Sequence, residues 1–520
     1  MIDGLDPART GPDAPDAPVT SATSPVLTGV VGGLLVAAVF RQGAFYAGDA
    51  GLVAVVSVVV TVALLARAPD RRSAAVVAAV AAFAAWWCVR AAAQGRASAF
   101  LPLGASALGF GCAFLATRRL QEPHRRLAAT FVVAVGAVSA GVGLVATAVR
   151  WYPLAMPAQN LWRLSTTLTY SNAAGALLAM TLLVGLGLDP GARSARVMVC
   201  LCSAGLVATQ SRGAVLAAVV GLVLVPLAQL RRTAVTVALG VVGGLAVVGT
   251  SNGGHGQPLA LAAVVVVSAL AAVVPPWHRR QPHLALPSSD PTWASSGQGA
   301  DASTWVGSGA DAPTGAGARG GGGPWSVRRR VLLVAGIGVV AVAVLVGAGV
   351  ALKTPIERRV ALASSEDRSY EWRSAFDQFR SSPLVGVGPD QLLQFRAPDG
   401  DVAHFSHNEY LQILADSGVV GELLLGLAVV CVVRAVRRRD VASSCATAAL
   451  VSFAVAATLD FDWHLAALGL LGGWVAGLAG QGPPATPAPV HTDSVDGTLP
   501  RPSSALDVHV ADVPPAARGL

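Results

Sequence analysis

The chain has 520 residues, 53% of them hydrophobic and only 13% charged, with a formal net charge of +8 and a mean hydropathy of +0.59. Soluble globular chains carry charge on about a quarter of their residues, so this composition excludes a protein whose main solvent is water. The charges gather in short clusters between apolar runs of 16–24 residues, long enough to cross a hydrocarbon core of about 30 Å. No nucleic-acid partner is implied; membrane lipids are.

In chain order, residues 1–24 are rich in Pro, Asp and Ala and have no basic segment before the first apolar run, so they read as a disordered cytoplasmic tail and not as a cleavable leader. Apolar runs follow near 25–40, 48–66, 73–93, 99–117, 127–149, 171–188, 195–210, 213–230, 233–250 and 258–275. Residues 276–327 are a Gly/Ser/Pro-rich insert with a short repeat (GADAST, GADAPT), a composition without the apolar content for a packed core, read as disordered and cytoplasmic. Further spans are expected at 328–351 and, within 419–480, near 419–436, 442–458 and 461–480; residues 481–520 read as a second disordered cytoplasmic tail. The fold class is an all-α integral membrane protein of about 12–14 transmembrane helices, with one large extracytoplasmic loop, 352–418, carrying short amphipathic helices.

Orientation follows from the arginines of the short loops. With the N-terminus inside, the short outer loops hold only Arg41, Arg90, Arg96, Arg150, Arg163 and Arg212, while pairs and triplets such as Arg71–Arg72, Arg118–Arg119, Arg125–Arg126, Arg231–Arg232 and Arg437–Arg439 fall inside. Both termini are therefore expected in the cytoplasm. The six cysteines lie in or beside apolar spans and read as small buried side chains; Cys200 and Cys202, two apart on a helix, face different directions and cannot clamp one metal ion.

The loop 352–418 holds Lys353, Arg358, Arg359, Arg368, Arg373, Arg380 and Arg396 together with His404 and His407. From Ser369 to Arg380 the spacing predicts a helix, with Trp372, Phe376 and Phe379 on one stripe and Arg373, Asp377 and Arg380 on another. Pro383 ends it, and Gly386 and Gly388 permit a tight turn whose backbone N–H groups are candidates to hold an anion. A second helix is expected over His407–Leu414, with Ser406 as its cap. Arg212, between two apolar runs, is costly unless paired or wet and so is a functional candidate.

SRGA at 211–214, Arg368 with Trp372, PLVGVGPDQ at 383–391 and HNEYLQILADSGVVG at 407–421 resemble the O-antigen ligase/Wzy-type polymerase family of membrane glycosyltransferases. TYSNAAGALLA at 169–179, with Asn172, and DFDWHLAAL at 460–468, with Asp460 and His464, fit the same pattern more loosely. The resemblance implies transfer of a glycan from an undecaprenyl-diphosphate carrier to an acceptor hydroxyl on a glycan, lipid or protein, at the outer face of the cytoplasmic membrane. It implies no cofactor and no metal. His407 would act as general base, and Arg212 and Arg368 would stabilise the departing diphosphate; Arg373, Gly386, Gly388, Asn408, Asn172, Asp460 and His464 would contribute to substrate binding. The alternative is a transporter or flippase of lipid-linked glycans, which would place charges within its spans.

Overall fold

The computed structural model describes residues 23–67, 69–158, 161–252, 257–273, 366–391, 405–436 and 440–480. The predicted span 328–351, the insert 276–327, the tail 481–520, His404, Lys353, Arg358, Arg359 and Arg396 lie outside the described residues. The described residues are almost wholly helical: α1 (Thr23–Phe40), α2 (Ala47–Leu65), α3 (Arg71–Ala93), α4 (Leu101–Arg118), α5 (Glu122–Val149), α6 (Ser171–Gly185), α7 (Arg193–Ala208), α8 (Arg212–Leu222), α9 (Leu227–Asn252), α10 (Gln257–Val273), α11 (Glu366–Ser381), α12 (Glu409–Ala435), α13 (Val441–Ala457) and α14 (Ala466–Ala479). A helix occupies every predicted span that falls within the described residues.

Six described helices are long and apolar enough to cross a membrane: α2, α3, α4 with its 3-10 lead-in, α5, α9 and α12; α1, α6, α8, α10, α13 and α14 are apolar but shorter. Val55, Val59 and Val62 on α2 and Leu423, Leu427 and Val433 on α12 are exposed, an apolar surface that would be a liability in water and is at home against lipid. The protein is thus an all-α, multi-pass membrane protein.

Two local departures from the sequence reading have plain causes. The run 213–230 forms only the 11-residue α8, because Pro226 lacks the N–H a continuing helix needs; the chain turns there and α9 begins at Leu227. Between α5 and α6 sits a two-stranded antiparallel hairpin, β1 (Ala155–Ala158) and β2 (Leu161–Leu164), in which Met156 pairs with Arg163. Four-residue strands are too short to show a period, so an all-helical pattern hid them. Of the cysteines, Cys112, Cys200, Cys202 and Cys445 are buried as expected, whereas Cys88 is exposed and Cys431 half-buried.

The interior is built on close helix approach. Gly469, Gly473 and Gly477 recur every four residues on α14 and lie against the α4 backbone; a Cβ on Gly477 would come within 2.8 Å of the Phe114 carbonyl oxygen. Lipid supplies little hydrophobic drive between helices, so such small-residue faces, which let backbones touch, carry the packing.

The arginine contacts and the candidate residues lie at the two ends of the bundle. At one end, arginines close helix C-termini: Arg118 donates to the carbonyls of Ala435 (3.2 Å) and Gly480 (2.8 Å), and Arg196 to those of Ala271 (3.0 Å) and Ala272 (2.7 Å). These carbonyls have no intrahelical donor, and a cation there also meets the negative end of the helix dipole. At the other end lie the hairpin, α11 and the α7–α8 and α13–α14 turns, where the candidate residues collect.

Candidate functional site

Four chain-distant segments meet at this second end. The hairpin delivers Arg163, whose guanidinium donates Nε–H to the Thr209 carbonyl at the end of α7 (3.0 Å) and Nη2–H to Asn172 Oδ1 (3.0 Å). Asn172 sits in the first turn of α6, next to Tyr170, and its amide nitrogen donates to Tyr170 Oη (3.1 Å) and to Asp460 Oδ2. Tyr170 Oη–H donates to the same Asp460 carboxylate, 2.8 Å from each oxygen, and the Phe461 N–H donates to Asp460 Oδ1 (2.8 Å). A buried carboxylate is tolerable only when its lone pairs are filled, and here three donors fill them. Burial first, then the Asp460 charge and hydrogen bond, holds the Tyr170 phenol well above its usual range, so it remains a donor.

Arg212 and Arg368 bear electrostatically on Arg163. Burial, together with those two positive charges, draws the Arg163 guanidinium below an ordinary arginine's value, against the opposing pull of Tyr170 and Asp460. Three guanidinium groups therefore share this region, two of them singled out by sequence. Arg212 is exposed at the first position of α8, whose N-cap is Ser211, accepting from the Ala214 N–H (3.3 Å). Arg368 is half-buried on α11.

His407 lies just before α12, in the left-handed region (φ 47°). Ser406 fixes the turn: its N–H donates to Gln412 Oε1 (2.9 Å) and its hydroxyl to the Asn408 carbonyl (2.9 Å). Asn408 is the N-cap of α12, accepting from the Leu411 N–H (3.1 Å). The cap expected from Ser406 is thus supplied by Asn408, and His407 precedes the helix instead of opening it. His407 Nδ1 lies 2.9 Å from Glu371 Oε2 on α11, and its ring meets Phe461 edge-on at 5.4 Å. Burial disfavours the charged imidazole, but the Glu371 hydrogen bond and the Asp460 and Glu371 charges outweigh it and Arg368, so the pKa stands above the ordinary histidine value.

Behind this lies a second layer. Glu409, fully buried at the start of α12, accepts from the Trp463 N–H (3.0 Å), and His464 Nδ1 lies 3.1 Å from its carboxylate. His464 is itself buried; burial works against its charge, yet Glu409 and Asp416 hold its pKa above the ordinary value. Asp462, one residue from Trp463, is pushed well above the carboxylate range by burial and by the neighbouring Asp460 and Glu409 charges. Phe461 is stacked between Tyr170 (5.1 Å) and Phe405 (4.4 Å), and Phe405 also meets His464 at 4.8 Å, so aromatic rings tie the two layers together.

The sequence-predicted residues therefore divide. Asn172, Asp460, His407, Arg212 and Arg368 converge; His464 supports them from behind, and Asn408 caps the helix after the histidine. Gly386 and Gly388 do not offer free N–H groups: Gly386 N–H donates to the Ser382 carbonyl (2.8 Å) and Gly388 N–H to the Asp416 carbonyl (2.9 Å). Both have positive φ and form a clasp against the middle of α12. Arg373 is exposed on α11, its guanidinium 6.0 Å above the Tyr370 ring. The α11 stripe of Trp372 and Phe376 is not the packed face either: both are exposed, while Glu371 and Ala375 are buried and Ala375 packs on Ala415 of α12. Small residues allow the close approach, and the aromatic rings are left facing outward.

Sequence reasoning passed over Glu371, Arg163, Tyr170 and Glu409. Arg163 stood among outer-loop arginines with nothing local to distinguish it, and Glu371 reads as an ordinary helix-surface acid. Tyr170 and Glu409 lay inside quoted motifs, and a buried pairing with residues some 50 to 290 positions away has no local signature.

The family model Wzy_C, described as O-Antigen ligase, matches residues 320–426. The resemblance read from 383–391 and 407–421 falls within that match; the stretches around Arg212 and Asp460 lie outside it. No curated protein matches the chain.

Proposed function

We propose that this multi-pass membrane protein, whose residues 320–426 are of the O-antigen ligase/Wzy-type family, transfers a glycan from an undecaprenyl-diphosphate carrier to an acceptor hydroxyl on another glycan, a lipid or a protein. In this reading the second end of the bundle faces outward, both termini are cytoplasmic, and the product belongs to a cell-surface polysaccharide. The observation that carries it is the convergence of a half-buried, carboxylate-paired histidine with three guanidinium groups at one end of the helix bundle.

The chemistry asks for those groups. The acceptor hydroxyl forms a bond to the anomeric carbon while the bond from that carbon to the carrier diphosphate breaks. Neutral His407 takes the hydroxyl proton, since a sugar hydroxyl is a poor nucleophile without a base. The diphosphate leaves with added negative charge, and Arg212 and Arg368, planar and always charged, stabilise it as it departs. Arg163, already anchored to Thr209 and Asn172, holds the α6 and α7 ends in place around them. No metal enters this scheme.

The test is glycan transfer by the purified protein from an undecaprenyl-diphosphate oligosaccharide, in detergent with EDTA, wild type beside His407→Ala. Transfer by wild type alone supports the reading, and product length distinguishes polymerase from ligase. Equal transfer by both removes His407 as base. No transfer by wild type to glycan, lipid or protein acceptors overturns the glycosyltransferase assignment in favour of transport of lipid-linked glycans.

A further inference from the structure

Glu371 is 7% exposed on the packed face of α11 and has its carboxylate oxygen 2.9 Å from His407 Nδ1. A carboxylate in that position needs a donor, because an ionised, unpaired acid is expensive to bury. It also dictates what the donor must be. An ionised carboxylate only accepts hydrogen bonds, so the proton on neutral His407 has to sit on Nδ1, which leaves the lone pair on Nε2. The other ring contact, the edge of Phe461, does not discriminate between tautomers.

The pair is also held rigidly. Glu371 and Ala375 lie one turn apart on α11, and Ala375 packs on Ala415 of α12, the helix that His407 precedes. The segment after α11 then binds back to α12: the Val387 and Gly388 N–H groups donate to the carbonyls of Ala415 (2.9 Å) and Asp416 (2.9 Å), and the Val419 and Val420 N–H groups to those of Pro383 (2.9 Å) and Leu384 (3.2 Å). Four backbone hydrogen bonds fasten the carboxylate's helix to the histidine's.

We infer that Glu371 is a positioning residue for the proposed transfer: its carboxylate holds His407 Nδ1–H so that Nε2 is the nitrogen presented to the acceptor hydroxyl. The inference rests on the general-base reading of His407. In each cycle the acceptor proton moves to Nε2, and the resulting imidazolium is stabilised by the Glu371 charge 2.9 Å away. The groups that face the ring are Glu371 and Arg368 from α11 and Asp460 from the α13–α14 turn, so the effect of Glu371 is separable from theirs.

The experiment compares wild type, Glu371→Gln, Glu371→Asp and His407→Ala, full length and in detergent, by two readouts. The first is steady-state transfer across pH. Glu371→Gln is expected to lower kcat by roughly 10- to 10²-fold, part of the roughly 10²- to 10⁴-fold that a general base contributes, with donor KM unchanged and the acid limb displaced to lower pH. Glu371→Asp should recover part of both. The second readout does not need turnover: modification of His407 by diethyl pyrocarbonate, which reacts with neutral imidazole, followed by peptide mass spectrometry. Its pH midpoint should fall in Glu371→Gln, because the charge that favours the imidazolium is gone. Wild-type kcat and an unchanged midpoint in Glu371→Gln overturn the inference even if His407→Ala is inactive. Full activity in His407→Ala sinks the general-base reading instead, and with it this role for Glu371. If Glu371→Gln does not accumulate in the membrane, Glu371→Asp decides: both readouts intermediate supports the role, both unchanged overturns it.

Discussion

Gly386 and Gly418 exclude side chains at each other's expense: a Cβ on Gly418 would stand 2.6 Å from the Gly386 nitrogen and closer still to the Leu384 carbonyl, and one on Gly386 would enter the Asp416–Ser417 peptide. Gly418 (φ 65°, ψ −168°) interrupts α12 at the level where the segment after α11 lies down on it. The two glycines are halves of one contact, the clasp that sets α11 against α12.

Alanine at Gly418 or Gly386 should therefore be destabilising, each positive-φ position alone costing on the order of 1–3 kcal/mol before the clash is counted. Thermal unfolding in detergent reads this as a lowered melting temperature, with transfer activity lost in parallel because His407 and Glu371 separate. A Gly418→Ala protein that melts with wild type would mean the two segments are not in contact.

The pH dependence has a definite sign. His407 must be neutral to accept a proton, and its pKa is raised above the ordinary value of 6.5, so transfer should fall off on the acid side at a pH above 6.5. Because Arg368 lowers that pKa, Arg368→Gln should move the acid limb higher still while reducing kcat. Stability runs the opposite way: a raised pKa means the fold favours the charged ring, so the Glu371–His407 contribution is complete below about 6.5 and is lost as pH rises through the folded value. Rate and melting profiles that move together with pH would contradict this.

Arg212→Ala and Arg368→Ala should each lower kcat on the order of 10²-fold, as removal of one charge-stabilising donor does elsewhere. Lysine at either position should restore only part of it, since an ammonium keeps the charge but not the planar fork. Full rescue by lysine would show that charge alone is required there.

Tyr170→Phe and Asp460→Ala separate the parts of the buried network. Phenylalanine leaves Asp460 with donors from Asn172 and Phe461, a loss of about 1 kcal/mol. Alanine at 460 strands the Tyr170 hydroxyl and the Phe461 N–H and removes one of the two acceptors of the Asn172 amide, at about 1–3 kcal/mol for each donor left unpaired. The melting temperature should drop markedly more for Asp460→Ala; equal drops would show that the carboxylate is satisfied by something other than this network.

The membrane fold was legible because a bilayer imposes a length and a composition that any apolar run either meets or fails. Local sequence was less informative where tertiary contact decided. Helix α11 carries a strong aromatic stripe, yet Ala375 and Glu371 form its packed side, because contact with Ala415 demands small groups and the aromatics can face outward. His407, Arg212, Arg368, Asn172 and Asp460 were picked out by motif, but the partners that give them their chemistry were not. Glu371 and Arg163 become recognisable only once the chain is folded, since each has its defining neighbour on another element. Gly386 and Gly388 show the reverse: their turn-forming character was correctly read, but the amides face α12 and not a ligand.

The Tyr170–Asp460 bond joins positions 290 residues apart, one at the start of α6 and the other in the turn before α14. In a chain made and inserted from its N-terminus, Tyr170 and Asn172 reach the membrane long before their acceptor exists. Closure of this network is then a property of completed insertion: a chain that ends short of residue 460 leaves Tyr170 and Asn172 without the carboxylate that joins them.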